Sequence, residues 1–332
     1  METIDQSLPW LQESGSQLRQ YINQNRIPQA LLIIGNKGYG KQQLAEHFSQ
    51  SLLCMDVLAT GIACGKCQSC TLFNAGTHPD YIAIEPEEPG KAIGIAVIRQ
   101  LTTKLALKPQ FESHRVVVIN PADSLNNASA NAFLKYLEEP TERTCLILIT
   151  DKPSKLPATI RSRCQKLLVS EPDQGLVKTW LKQQGISDNV NLLLSLSQGA
   201  PLLAKQLAES SVLQLRTECF NHWMALAASD ENLITLAEQW YKLEREEIDL
   251  LLFWLVSWVA DMIKLAYDKQ AVNIVNSDFV KHLQEIVEQL DLKDMYKYYD
   301  LLLLSQQRFD TQLNKQLMFE EILIQWSKLN SR

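Results

Sequence analysis

Residues 31–42 read LLIIGNKGYGKQ. Four consecutive apolar residues run into Gly35, and Gly40-Lys41 follow at the spacing of a phosphate-binding loop, G-x-x-x-x-G-K-[ST]. In such a loop the glycines let successive backbone N–H groups face the phosphates at a helix N-terminus, and the lysine neutralises their oxygens. The final hydroxyl residue, which would hold magnesium, is replaced here by Gln42. Gly35, Gly38, Gly40 and Lys41 therefore supply a cradle and a charge, and Gln42 offers an amide on a longer arm that suits octahedral magnesium poorly.

Working outward, apolar runs at 30–34, 80–84, 115–119, 144–150 and 165–169 read as strands. Between them, 41–53, 93–105 and 129–137 carry helical spacing, the last stopping before Pro140. Uninterrupted apolar strands alternating with helices indicate a parallel sheet covered on both faces. After Pro172 the strands cease. Residues 173–208 read as three short helices broken by Gly185 and by Gly199-Ala-Pro201, and about five helices of 12 to 25 residues are expected from Ser211 onward. The expected order is an α/β domain over 1–168, a small helical domain over 169–208 and an all-α domain over 209–332.

The chain has 332 residues, 46% of them hydrophobic, and a net charge of −6. That balance removes any global basic character that would advertise nucleic acid. METIDQSLPW at the start has neither a basic n-region nor an apolar stretch, so no signal peptide is expected. The most apolar segment, 250–260, is about half the length of a membrane span. It reads as a buried helix, and the chain as cytoplasmic. Trp223, Trp254, Trp258 and Trp326 fall at helical core spacing and read as packing.

Four of the seven cysteines cluster as Cys54-x9-Cys64-x2-Cys67-x2-Cys70. Four soft ligands at this spacing fit a closed, structural tetrahedral zinc site, with Lys66 beside the thiolates. The rival iron–sulfur run requires a further cysteine at position 74, which is Asn. The strand RVVVI (115–119) should end on an acid if it held a metal, but Asn120-Pro121 follow it. Asp123 lies past the proline and is expected to point elsewhere. His78, Glu138 and Glu139 read as structural, the two acids as charges on a helix–proline turn.

NAFLKYLEEP (131–140), TCLILIT (144–150) and IRSRC (160–164), taken with the loop, the cysteines and GTHPDY (76–81), resemble the clamp-loader branch of the AAA+ ATPases. The resemblance implies an AAA+ core with an inserted zinc module (54–70), a helical lid domain and a helical collar for oligomerisation. It places a sensor at Thr150 and an arginine finger at Arg163, reaching the γ-phosphate bound by a neighbouring subunit. The family's second sensor arginine is missing from GAPLLAK (199–205). The parts that act on the chain's own nucleotide are thus degraded, and the part that acts on a neighbour's is kept. The implied setting is a hetero-pentamer with gamma/tau and delta subunits, which bind the ATP and magnesium and close a sliding clamp on primed DNA for the bacterial replicative polymerase. Two other readings stay open at this point: an active gamma/tau-like ATPase that tolerates Gln42, and a zinc-bearing DNA-binding module.

Overall fold

The computed structural model describes residues 4–88, 90–105, 108–111, 113–139, 141–228, 231–309 and 314–330. The chain divides into two compact units, Met1–Gln183 with Ala200–Leu202, and Gln184–Gly199 with Leu203–Arg332.

The first unit is built on five parallel strands, β1 (Ala30–Ile34), β2 (Tyr81–Ile84), β3 (Arg115–Ile119), β4 (Thr144–Thr150) and β5 (Gln165–Leu168), in the order β2-β3-β4-β1-β5. Parallel strands cannot be joined by tight hairpins, so helices cross over between them. These are α3 (Lys41–Leu53), α4 (Gln68–Asn74), α5 (Ile95–Leu105), α6 (Asn127–Glu138) and the short α7 (Ala158–Arg161), preceded by α1 (Ile4–Ser7) and α2 (Gln12–Asn23). The central strands β3 and β4 are buried along their whole length, which is why they read as unbroken apolar runs. β5 lies at the sheet edge and leaves three of its four residues exposed. The register sets Ile34 beside Thr150, so the end of β1 and the end of β4 open onto the same crevice. Ligands of open α/β sheets bind at such carboxyl ends.

α6 begins two residues earlier than the apolar spacing suggests. The side chain of Asn126 caps it by accepting the Ser129 N–H at 2.8 Å. Pro140, expected to end this helix, lies outside the described residues.

α8 (Gln174–Gln183) belongs to the first unit and α9 (Val190–Leu196) to the second, while α10 (Pro201–Glu209) begins in the first and continues in the second. Beyond them the described residues hold six helices rather than about five: α11 (Val212–Ala227), α12 (Leu233–Tyr241), α13 (Arg245–Tyr267), α14 (Val280–Val287), α15 (Leu292–Arg308) and α16 (Lys315–Asn330). Two of these, α12 and α14, are shorter than three turns, below the length that helical periodicity resolves. The 250–260 run sits inside α13, and among the described residues no helix is long and apolar enough to cross a membrane. The four tryptophans are buried as expected, Trp223 stacking on Trp326 with ring centroids 3.8 Å apart.

A buried polar cluster ties the 268–279 loop to α11 and α13. The guanidinium of Arg216, 1% exposed, donates to Asp278 and Asn276 at 2.6 Å each and lies over the Phe279 ring. Asn276 in turn donates to Asp261 at 2.8 Å. Removing one member leaves the others desolvated and unpaired. Arg216→Ala is therefore expected to destabilise the bundle by about 3–5 kcal/mol in urea unfolding, whereas exposed ion pairs such as Lys269–Glu288 should be worth under about 1 kcal/mol.

Candidate functional site

The strand order gathers the loop, Asn120, Asp123, Thr150 and Asp151 at one end of the central strands β3, β4 and β1. Gly38 and Gly40 both take left-handed backbone angles, φ 81° and 86°, which the turn into α3 requires. A side chain at Gly40 would meet Leu8 at 2.9 Å and Leu11 at 3.0 Å, because the N-terminal segment packs on the loop. The Trp10 indole fastens that contact by donating to the Tyr39 carbonyl at 2.9 Å.

Lys41, the phosphate-reading residue of the motif, is buried. Its ammonium donates to the Asn36 carbonyl at 2.8 Å and pairs with the Asp151 carboxylate at 2.5 Å. Lys41 is thus paired with a carboxylate of its own chain, beneath the surface of the loop. Gln42 has a similar internal partner, its side-chain oxygen accepting from the Asn120 amide at 3.2 Å while its own amide donates to Glu46 at 3.0 Å. The two positions that should ligate magnesium are therefore a neutral amide pair bonded to each other.

Thr150 is fully buried; its hydroxyl donates to Asp123 at 2.6 Å and accepts the Lys152 N–H at 3.0 Å. Asp123, expected to point elsewhere, engages the strand-end threonine instead. The cause is the turn of Ala122–Ser124, which carries the residue back over the end of β4.

Arg163 lies between α7 and β5, on the same unit but apart from the loop. One terminal nitrogen pairs with Glu138 at 2.6 Å and the other donates to the Thr159 carbonyl at 2.9 Å. Asp151 and Glu138 were not legible as partners. A hint existed for Glu138, since acids at a helix C-terminus oppose the helix dipole and call for a cation nearby.

The four cysteines of the cluster converge, their sulfurs all within 4.8 Å of one another and Cys54 to Cys67 at 3.9 Å. Tetrahedral Zn–S bonds of about 2.3 Å set the sulfurs about 3.8 Å apart, so the donor set fits such an ion. Backbone N–H groups of Asp56 and Cys64 point at Cys54 at 3.4 and 3.3 Å, and those of Cys67 and Cys70 at Cys64 and Cys67 at 3.4 Å each. Such donors stabilise thiolates. Burial pushes the Cys67 thiol up, but N–H bonds from Cys70 and Met55, together with hydrogen bonds from the Cys70 and Cys64 side chains, outweigh it and bring it down to about 6. Burial raises Cys54 and Cys70. Asn74, which would have to be cysteine for an iron–sulfur run, accepts from Gln50 at 2.8 Å.

His78 anchors this module to β2. Its Nδ1 accepts the Asp80 N–H at 3.1 Å, so Nε2 carries the proton and donates to the Ser69 hydroxyl at 2.9 Å, which donates to the Leu53 carbonyl at 2.6 Å. The chain of bonds requires a neutral ring, and burial lowers the basicity of both His78 and His114. An imidazole depressed below its ordinary pKa of about 6.5 binds protons more weakly folded than unfolded. Its stability is complete above that pH and is lost as pH falls through the folded value. The urea midpoint is accordingly expected to fall as the pH drops below about 6.5. His78→Gln should flatten that slope while lowering stability at pH 8.

Two family models match the chain, one described as DNA polymerase III, delta subunit, over residues 11–173, and one as DNA polymerase III, delta subunit, C terminal, over 210–328. A Pseudomonas aeruginosa protein named DNA polymerase III subunit delta' is 33% identical over 328 residues, covering 97% of each chain. The Escherichia coli protein of the same name is 31% identical over 328 residues, 95% of this chain and 94% of its own. Among solved structures, a gamma subunit-related protein of Thermotoga maritima aligns over 95% of this chain and 99% of its own, at 16% identity and a TM-score of 0.40.

Proposed function

The chain belongs to the delta' family of DNA polymerase III subunits, and on that premise we propose that it is a clamp-loader subunit that hydrolyses no ATP itself and supplies Arg163 to a neighbour's nucleotide. The observation that carries the first half is the internal pairing of Lys41 with Asp151 and of Gln42 with Asn120. Phosphoryl transfer needs the lysine on the β/γ oxygens and an oxygen-rich pocket for magnesium. Here the lysine has an anionic partner of its own, and neither Gln42 nor Asn120 brings charge to a metal.

The second half is supported by the position of Arg163, exposed between α7 and β5 with a guanidinium that offers a planar fork to phosphate oxygens. In this reading the loop side of the sheet is a scaffold, residues 169–208 form the lid, and 209–332 give the chain's share of a collar. Gamma/tau and delta subunits complete a hetero-pentamer in the cytoplasm, the partner subunits bind ATP and magnesium, and the assembly places the sliding clamp on primed DNA. Cys54, Cys64, Cys67 and Cys70 would hold a structural zinc, which when bound crosslinks the module and leaves no open position for chemistry.

The purified chain is expected to show no magnesium-dependent ATP hydrolysis above background. Gln42→Thr should not rescue it, because Asn120 still follows β3 and Lys41 still faces Asp151. Turnover well above background from the unaltered protein would overturn the non-hydrolysing reading and favour an active motor.

A further inference from the structure

Arg163 is held at both ends of its fork by its own chain. Besides the 2.6 Å pair with Glu138 and the 2.9 Å bond to the Thr159 carbonyl, its backbone N–H donates to the Ile160 carbonyl at 3.1 Å. Ile160, three residues before, and Cys164, directly after, are buried in the sheet core and anchor the main chain on either side of Arg163. Glu138 is the last residue of α6, whose Phe133 is fully buried in the same core. Two rigid elements therefore bring a carboxylate and a guanidinium together at a surface position. A guanidinium carries five N–H donors, and these contacts engage two of them, one on each terminal nitrogen.

The Arg163 and Glu138 side chains are 37% and 51% exposed. An exposed pair contributes little to folding. What it does contribute is orientation: a free arginine side chain samples many rotamers, and a transition state that needs one of them must select it each time. Glu138 also sits at a helix C-terminus, where a negative charge is unfavourable unless a cation answers it. The pairing thus settles both side chains in one arrangement, with the remaining N–H groups left to meet an incoming anion.

We propose that Glu138 is a positioning residue for Arg163, holding the guanidinium in the orientation that meets the phosphate bound by the adjoining subunit. This rests on the finger reading of Arg163. Glu138 touches no nucleotide itself and acts through the arginine alone. Losing it leaves the arginine charged and present but tethered only at the Thr159 carbonyl, which should lower turnover at the facing site about tenfold while leaving the affinity for ATP unchanged.

The test reconstitutes the full loader with wild-type chain, Glu138→Ala, Glu138→Gln, Arg163→Ala and the double variant Glu138→Ala/Arg163→Ala. Single-turnover ATP hydrolysis, KM for ATP, complex composition and Tm are measured for each. Glu138→Ala should cut kcat at one site about tenfold with KM and Tm unchanged. Glu138→Gln, whose amide oxygen still accepts from the fork, should keep most of the rate. The double variant should be no slower than Arg163→Ala alone, because a residue that acts only through another has nothing left to orient. Full activity in Glu138→Ala beside a defective Arg163→Ala would overturn the positioning role and leave the finger standing. Multiplying losses in the double variant would overturn it too, as would loss of the chain from the complex in Glu138→Ala, which would assign the residue to the interface. Full activity in Arg163→Ala would remove the finger reading itself, and the positioning role with it.

Discussion

Arg163→Ala is expected to abolish fast hydrolysis at one site of the assembled loader while leaving the isolated chain folded and metal-loaded. An arginine delivered to the transition-state charge of phosphoryl transfer accelerates it by about 10³–10⁵, so the facing site should fall by that factor. In that reading this chain faces one site only, so total turnover should fall only by that one site's share. Stability should not move, since the exposed pair with Glu138 contributes little to folding. Arg163→Lys should not restore the rate, because a point charge cannot present two parallel N–H bonds to phosphate oxygens. Steady-state hydrolysis by complexes reconstituted with each variant checks all three expectations. A wild-type rate with Arg163→Ala in a complex of unaltered composition would leave the chain a scaffold alone.

The second large effect lies in the cysteine cluster. Chelation is expected to release one zinc per chain and to lower the melting temperature of the first unit by about 10 °C or more, because metal binding in such modules is itself folding free energy. A cation between four sulfurs within 4.8 Å of one another lets them ionise together, and the backbone N–H groups that point at Cys54, Cys64 and Cys67 favour that form. Cys67→Ser removes the sulfur to which Cys70 N–H donates at 3.4 Å and should reproduce the loss. The module lies between α3 and β2, so ATP hydrolysis by complexes assembled below the new melting temperature should be unchanged. Metal-free protein with an unaltered melting curve would contradict the zinc assignment. Normal folding of Cys67→Ser with lost hydrolysis would make the metal functional rather than structural.

The central strands were legible because burial on both faces makes them unbroken apolar runs. RVVVI and TCLILIT match β3 and β4 residue for residue. α2 escaped notice because its sequence, QESGSQLRQYIN, buries only Ser14, Gly15 and Leu18 and so carries a thin apolar stripe. The cysteine cluster was legible from spacing alone, since its ligands are local. The internal partner of Lys41 was not, because Asp151 lies 110 residues away and meets it only once β4 is known to sit beside β1. The same holds for Asn120 and Gln42, 78 residues apart: each was read as a missing metal ligand, and strand order alone shows that they bond to each other. Glu138 was read as charge on a turn, and its partner emerged only when α7 and β5 brought Arg163 over the end of α6.

The central claim, that this chain leaves its own loop idle and completes a neighbour's site, is tested most directly by counting fast sites. Single-turnover hydrolysis of ATP in the reconstituted loader gives an amplitude per complex for wild-type chain and for Arg163→Ala. The expected result is a wild-type amplitude equal to the number of gamma/tau subunits, with none from this chain, and an Arg163→Ala amplitude smaller by one. An amplitude that exceeds the gamma/tau count, or one that Arg163→Ala leaves unchanged, would contradict it.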